Sequence, residues 1–250
     1  MLELNKIYCI NNIQGMIQLC ADKIDLTVTS PPYDNLRNYN GYSFDFERVA
    51  RGLYYVTKPG GVVIWVVGDA TIKGSETGTS FKQALYFKEI GFNLHDTMIY
   101  QKVNAMPNKN AKRYRQSFEY IFAFSKGCPK TFNPIEVKIK NFTIGTQRNK
   151  NGVLSTERKI NKNENRKIDN IFSYGVGLNK TNHPAVFPEL LVQDQILSWS
   201  NENDLILDPF MGSGTTAKMA LLNNRNYIGF EISQEYCKIA EQRLNAIDKM

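Results

Sequence analysis

The stretch LILDPFMGSGTT, Leu205 to Thr216, decides the fold. Leu205, Ile206 and Leu207 form a short apolar run that ends in an acid, Asp208. A Gly-x-Gly turn follows at Gly212 and Gly214, and GTTAKMALLNN (214–224) then has helical spacing. Glycine takes positive φ at little cost and lets the backbone come close to a ligand. A helix start offers free N–H groups and a positive dipole end to an anionic group such as a carboxylate. The next run, NYIGFEI (226–232), reads as a strand and sets Glu231 23 residues beyond Asp208. An acid at the tip of a second strand is the usual holder of the two hydroxyls of a ribose. The spacing is not GxGxxG, so a dinucleotide is not the first choice. The two glycines alone would be an ordinary turn. Strand, acid, turn, helix and second acid together point to a cofactor site.

Working outward, SQEYCKIAEQRLNAI (233–247) and FPELLVQDQILSWS (187–200) read as helices on either side of this unit. Upstream, IDLTVTS (24–30) and VVIWVV (62–67) read as buried strands. FERVARGLYYVTK (46–58) reads as a helix that stops at Pro59-Gly60-Gly61, and SFKQALYFKEIG (80–91) as a helix closed by Gly91. DTMIYQK (96–102) and EYIFAFSK (119–126) look like two further strands. Strands alternating with helices predict an α/β fold with a mainly parallel sheet covered on both faces. Residues 138–182 change texture to Asn-, Lys- and Arg-rich with few periodic apolar positions, which marks an inserted lobe.

Composition narrows the class. The 250 residues are 42% hydrophobic and 22% charged, a globular rather than a disordered balance. The longest strongly apolar run, Val62 to Val67, is far shorter than the ~20 residues that span a bilayer. No basic segment followed by a long apolar stretch opens the chain, so the expected location is the cytoplasm. The cysteines (Cys9, Cys20, Cys128, Cys237) are scattered without a CxxC pair, so no metal site and no disulfide framework are expected. Residues 101–180 hold 17 Lys+Arg against 5 Asp+Glu, while the rest hold 14 against 19. A basic insert in a mildly acidic body suggests a polyanion-binding lobe on a catalytic core, or else a solvated basic loop.

A second motif, TSPPYDNL (29–36), follows the first buried strand. Pro31 and Pro32 stiffen the loop and leave carbonyls available as acceptors; Ser30 adds a hydroxyl and Tyr33 a flat ring. Such a loop suits a planar base bearing an exocyclic NH₂. With both motifs in hand, the chain resembles the amino-group DNA methyltransferases, which use S-adenosylmethionine to modify cytosine N4 or adenine N6. TSPPY (29–33) is similar to their catalytic tetrapeptide, DPFMGSGTT (208–216) to their methionine-end motif, and IGFEI (228–232) to their ribose-binding strand. The catalytic motif precedes the cofactor motif, an order that resembles the permuted β-group. KPGGVVIWVVGD (58–69), FEYIFAFSK (118–126) and NHPAVFPELL (182–191) also look like family segments.

The resemblance implies a Rossmann-like methyltransferase fold with residues 1–137 and 181–250 as the catalytic domain and 138–180 as a target-recognition lobe. Ser30, Pro31, Pro32 and Tyr33 would be catalytic. Asp208, Phe210, Gly212, Gly214, Thr215 and Thr216 would surround the methionine part of the cofactor, Glu231 its ribose, and Pro188 would close over it. Asn11 occupies the place near the adenine where the family often has Asp. Double-stranded DNA is the implied substrate, its target base flipped out at a cost of a few kcal/mol. Contacts to it would come from Lys102, Lys109, Lys112, Arg113 and Arg115, and from Arg148, Lys150, Arg158, Lys159, Arg166 and Lys167 in the lobe. Ser at the head of the tetrapeptide is more usual in the cytosine-N4 branch, so N4 is favoured and adenine N6 is the alternative. An RNA methyltransferase or a non-catalytic nucleic-acid-binding module fits the order and integrity of the motifs less well. A homodimer and a cognate restriction endonuclease are the further partners suggested by analogy.

Overall fold

A computed structural model describes residues 2–32, 44–105, 112–138, 144–145, 148, 150–154, 159–160, 165–175 and 188–247. In chain order the elements are β1 Lys6–Cys9, α1 Asn12–Ile17, β2 Ile24–Thr29, α2 Phe46–Val56, β3 Thr57–Val67, β4 Thr71–Ile72, β5 Ser75–Glu76, α3 Thr79–Glu89, β6 Asn93–Lys102 and β7 Phe118–Ser125. They continue with β8 Glu136–Lys138, β9 Ile144–Gly145, β10 Lys159–Ile160, β11 Asn165–Lys167, β12 Ile171–Tyr174, α4 Glu189–Trp199, β13 Leu205–Asp208, α5 Thr215–Leu222, β14 Asn226–Glu231 and α6 Gln234–Asn245.

Eight strands form one sheet in the order β1-β14-β13-β2-β3-β7-β6-β12. Every neighbouring pair is parallel except the two made by β7. The expected α/β class is therefore correct, with one reversed strand inside it. β3 runs through the middle, and its Val62–Val67 segment is fully buried, as a continuous Val/Ile/Trp run requires when helices cover both faces. Trp65 is completely buried and still satisfied, because its Nε1 donates to Gln83 Oε1 at 2.9 Å. Below it, α2 turns Val49, Ala50, Leu53 and Val56 inward at helical spacing. Truncating a core residue such as Leu53 to Ala typically removes about 2–5 kcal/mol.

The structure differs from the sequence reading at two places and adds one element. Pro59-Gly60-Gly61 was expected as a loop after α2, but the strand already begins at Thr57. Its register with β2 passes from Ile24↔Thr57 to Leu26↔Val62, so residues 58–61 form a bulge in which Gly60 takes φ 84°. The N-terminal β1 and α1 are short, and only pairing with β14 reveals β1 as a sheet member. The lobe boundary also moves. The chain divides into Met1–Asn133 with Asn170–Met250, and a second compact unit, Pro134–Asp169. Ile171–Tyr174 belongs to the main sheet, in parallel with β6, although its sequence surroundings share the polar texture of the insert.

The second unit is built from small antiparallel pairs, β8 with β11 and β9 with β10, plus a bridge between Arg148 and Leu154. Among its residues whose burial is described, none is buried. Its sequence carries 9 Lys+Arg against 4 Asp+Glu, too polar a composition to build a core of its own.

Candidate active site

The carboxyl ends of the parallel strands carry both motifs, as open α/β sheets generally arrange their ligand sites. β2 ends at Thr29, directly before Ser30-Pro31-Pro32; β13 ends at Asp208 beside it; β14 ends at Glu231. Adjacent parallel strands are about 5 Å apart, so two motifs 170 or more residues apart in sequence become neighbours.

Asp208 joins them. Its side chain is only 4% exposed. Oδ1 accepts from Thr29 Oγ1 at 2.6 Å and from Phe210 N at 3.0 Å, and Oδ2 accepts from Thr216 Oγ1 at 2.7 Å. Burial pushes its carboxyl up to about 6, against the opposing pull of these three hydrogen bonds. The nearby Glu231 charge adds to the rise. The carboxylate is thus turned into the protein, where it ties the β13–α5 turn to the end of β2.

The turn itself is held open by glycine. Gly212 and Gly214 take φ 52° and 82°. A Cβ on Gly214 would also lie 2.9 Å from Ala240 Cβ of α6. Gly214 is the N-cap of α5 and supplies no side-chain acceptor, so the first-turn N–H groups, including those of Thr215 and Thr216, are not capped from within. Thr215 and Thr216 themselves are buried. Glu231 Oε2 accepts from Gly212 N at 2.8 Å, while Oε1 accepts from Ile232 N at 2.9 Å and Ser233 N at 2.8 Å. A carboxylate offers about four acceptor positions, so with three filled one remains on Oε2 for a hydroxyl of a diol. An uncapped helix start beside a half-buried, oriented carboxylate fits the carboxylate and ribose of S-adenosylmethionine.

Phe210 belongs to an aromatic cluster: its ring lies 5.3 Å from Phe44 and 6.3 Å from Trp65, edge-on to both. Pro188 is the N-cap of α4. Asn11, the expected adenine contact, stands between the end of β1 and the start of α1. It caps α1, its side chain accepting from Ile13 N at 2.9 Å and Gln14 N at 3.4 Å, a position that Asn fills well.

Three contributors carry no sequence signal. Thr29 is one of many strand threonines. Arg243, in α6, donates through NH1 to Ser213 O at 2.6 Å and to Ser213 Oγ at 2.8 Å, and through NH2 to Glu189 Oε1 at 2.9 Å. Glu189, directly after Pro188, also pairs with Lys218 at 2.7 Å. Together they brace the cofactor turn against the start of α4.

The basic residues divide. Lys102 pairs with Glu119 at 2.5 Å and is largely enclosed. Arg113 is held by Glu76 at 3.1 Å and by the Gly74 carbonyl at 2.5 Å. Arg166 pairs with Asp169 at 3.5 Å, on the surface. Lys112, Arg115, Arg148, Lys150 and Lys167 are exposed. Lys159 lies in β10. Tyr33, Lys109 and Arg158 lie outside the described residues. Among the described residues no cluster of potential metal ligands occurs, and no helix is long and apolar enough to cross a membrane.

Residues 24–242 match the N6/N4 methyltransferase family, described as DNA methylase. An orphan methyltransferase of Bacillus amyloliquefaciens, M.BamHII, is 57% identical over 88% of this chain and 88% of its own length. The type II methyltransferase M.BglII of Bacillus subtilis is 28% identical over 97% of this chain and 69% of its own. The M1.HpyAVI complex with S-adenosylmethionine superposes with a TM-score of 0.63 at 27% identity, covering 96% of this chain and 99% of that one. The cytosine-N4-specific PvuII DNA methyltransferase shares the fold with a TM-score of 0.70 at 20% identity, over 98% of this chain and 91% of that one.

A parallel sheet with these two motifs at its carboxyl edge defines an S-adenosylmethionine-dependent methyltransferase. The chain belongs to the N6/N4 DNA methylase family and is a DNA amino-methyltransferase.

Proposed function

We propose that the enzyme methylates cytosine at N4 in duplex DNA. The observation that carries this reading is Ser30, a hydroxyl rather than an acid, fixed at the end of β2 by the bond between its neighbour Thr29 and Asp208. S-adenosylmethionine supplies an electrophilic methyl group when bound. Gly212, Gly214 and the Thr215-Thr216 helix start would hold its methionine end, with Phe210 and Pro188 beside it, and Glu231 its ribose. Asp208 acts as a positioning residue behind them.

The chain's part in the reaction is geometric. An exocyclic amine is a poor nucleophile because its lone pair is delocalised into the ring. The Ser30 hydroxyl and the Pro31 carbonyl accept its two hydrogens and draw the nitrogen towards a tetrahedral shape. Pro31 is buried, so that carbonyl is carried on a fixed segment. Tyr33 stacks on the extruded base, Pro32 keeps the loop rigid, and orientation supplies much of the rate. Lys112, Arg115, Arg148, Lys150 and Lys167 are the proposed phosphate and base contacts, and the unit 134–169 is the proposed recognition lobe. A homodimer and a cognate restriction endonuclease are proposals carried by the resemblance alone.

The test is to incubate the protein with mixed-sequence duplex and S-adenosylmethionine, digest to nucleosides and identify the products by mass spectrometry. N4-methylcytosine is expected. N6-methyladenine would keep the mechanism and overturn the choice of base. Ser30→Ala should lower turnover by about tenfold or more while cofactor affinity holds.

A further inference from the structure

Tyr114 is 100% exposed, an unusual position for a large aromatic ring. It sits in the sequence Lys112-Arg113-Tyr114-Arg115, on the segment that leads into β7. The topology fixes where that segment emerges. β7 is antiparallel to β3, so its first residue, Phe118, lies at the carboxyl end of β3. That is the edge on which Ser30, Asp208 and Glu231 stand. β7 is two strands from β2 in the sheet, about 10 Å away. Tyr114 precedes Phe118 by four residues, a reach of up to about 14 Å. The segment carrying the ring therefore leaves the sheet at the edge on which the catalytic loop stands.

The segment is also anchored. Arg113 donates to the Gly74 carbonyl and to Glu76 of the β4–β5 hairpin, which follows β3 on the same edge. Its neighbours Lys112 and Arg115 are exposed and cationic. An aromatic ring on a pinned base, flanked by cations, is the arrangement that binds a base stack beside phosphates. Holding it in place beforehand reduces the ordering that binding would otherwise require.

We propose that Tyr114 stacks into the DNA duplex at the place left by the extruded target base. This rests on the base-extruding, duplex-DNA reading above. An inserted apolar side chain offsets lost base stacking, and Tyr114 would do so without touching the reacting atoms. It is a positioning residue, distinct from Tyr33.

The experiment compares wild type, Tyr114→Ala and Tyr114→Phe on a duplex carrying the sequence that the wild-type enzyme methylates. A second duplex places a mismatch opposite the target base, which lowers the cost of extrusion. Circular dichroism and S-adenosylmethionine titration establish that each variant is folded and binds cofactor. Tyr114→Ala is expected to lose about tenfold or more in kcat/KM on the paired duplex and to recover most of it on the mismatched one. Tyr114→Phe is expected to stay near wild type, because the ring and not the hydroxyl stacks. Unchanged kinetics in Tyr114→Ala would overturn the proposal. So would an equal defect on both duplexes, or a Phe variant as impaired as the Ala variant. A wild-type enzyme that methylates only single strands would instead overturn the duplex reading, and the stacking proposal with it.

Discussion

Asp208 is the residue on which the site turns. A buried carboxylate is costly unless its acceptor positions are filled, and here two threonine hydroxyls and one amide fill them. Burial still dominates, so its folded pKa, about 6, lies above the ordinary 3.8. A carboxyl raised on folding favours the folded state as the acid. That contribution is fully present below the ordinary value and is lost as pH rises through about 6. From pH 7 down to pH 5 this group alone should therefore add roughly 1 kcal/mol to the unfolding free energy. Asp208→Asn should lack that increment. Urea midpoints of both proteins across this range check it, and parallel profiles would contradict it.

At the scale of elements, the β13–α5 turn depends on left-handed backbone. Gly214→Ala would put a side chain at φ 82° and bring its Cβ to 2.9 Å from Ala240 Cβ. The expected cost is about 1–3 kcal/mol of stability, with cofactor affinity weakened by about tenfold or more as the α5 start shifts. Thermal melting and S-adenosylmethionine titration measure the two effects. A variant with wild-type affinity would show that the α5 N-terminus does not hold the cofactor. The neighbouring ion pairs of Glu189 with Lys218 and Arg243 are partly exposed, so each adds at most about 1 kcal/mol. The hydrogen bonds from Arg243 to Ser213 matter more for keeping the turn in place.

At the scale of the whole molecule, the catalytic sheet and the basic unit Pro134–Asp169 are separate compact bodies. None of the unit's residues whose burial is described is buried, so its removal opens no core of its own. Replacing residues 134–169 by a short Gly/Ser linker should leave cofactor binding intact and abolish site-specific methylation. Titration with S-adenosylmethionine and sequencing of the methylated DNA separate the two functions. Retained sequence specificity would place recognition elsewhere.

Much of the site was legible locally, because its demands are local. Positive φ selects Gly212 and Gly214, a rigid acceptor loop selects Pro31 and Pro32, and a continuous Val/Ile/Trp run marks a strand buried on both faces. The corrections all concern partners. That Lys102 has Glu119 beside it follows only from the β6–β7 pairing. That Asn11 caps α1 is likewise seen only in the structure. Ile171–Tyr174 reads as part of the insert until it pairs with β6. The sequence alone determined the fold class and the left-handed glycine turn after β13, since these follow from side-chain pattern and backbone conformation. The tertiary structure decided which charges are already neutralised, that Asp208 points inward, and that Thr29 and Arg243 brace the site. Those outcomes depend on which strands and helices become neighbours, and a hydrogen bond between residues 179 positions apart has no local signature.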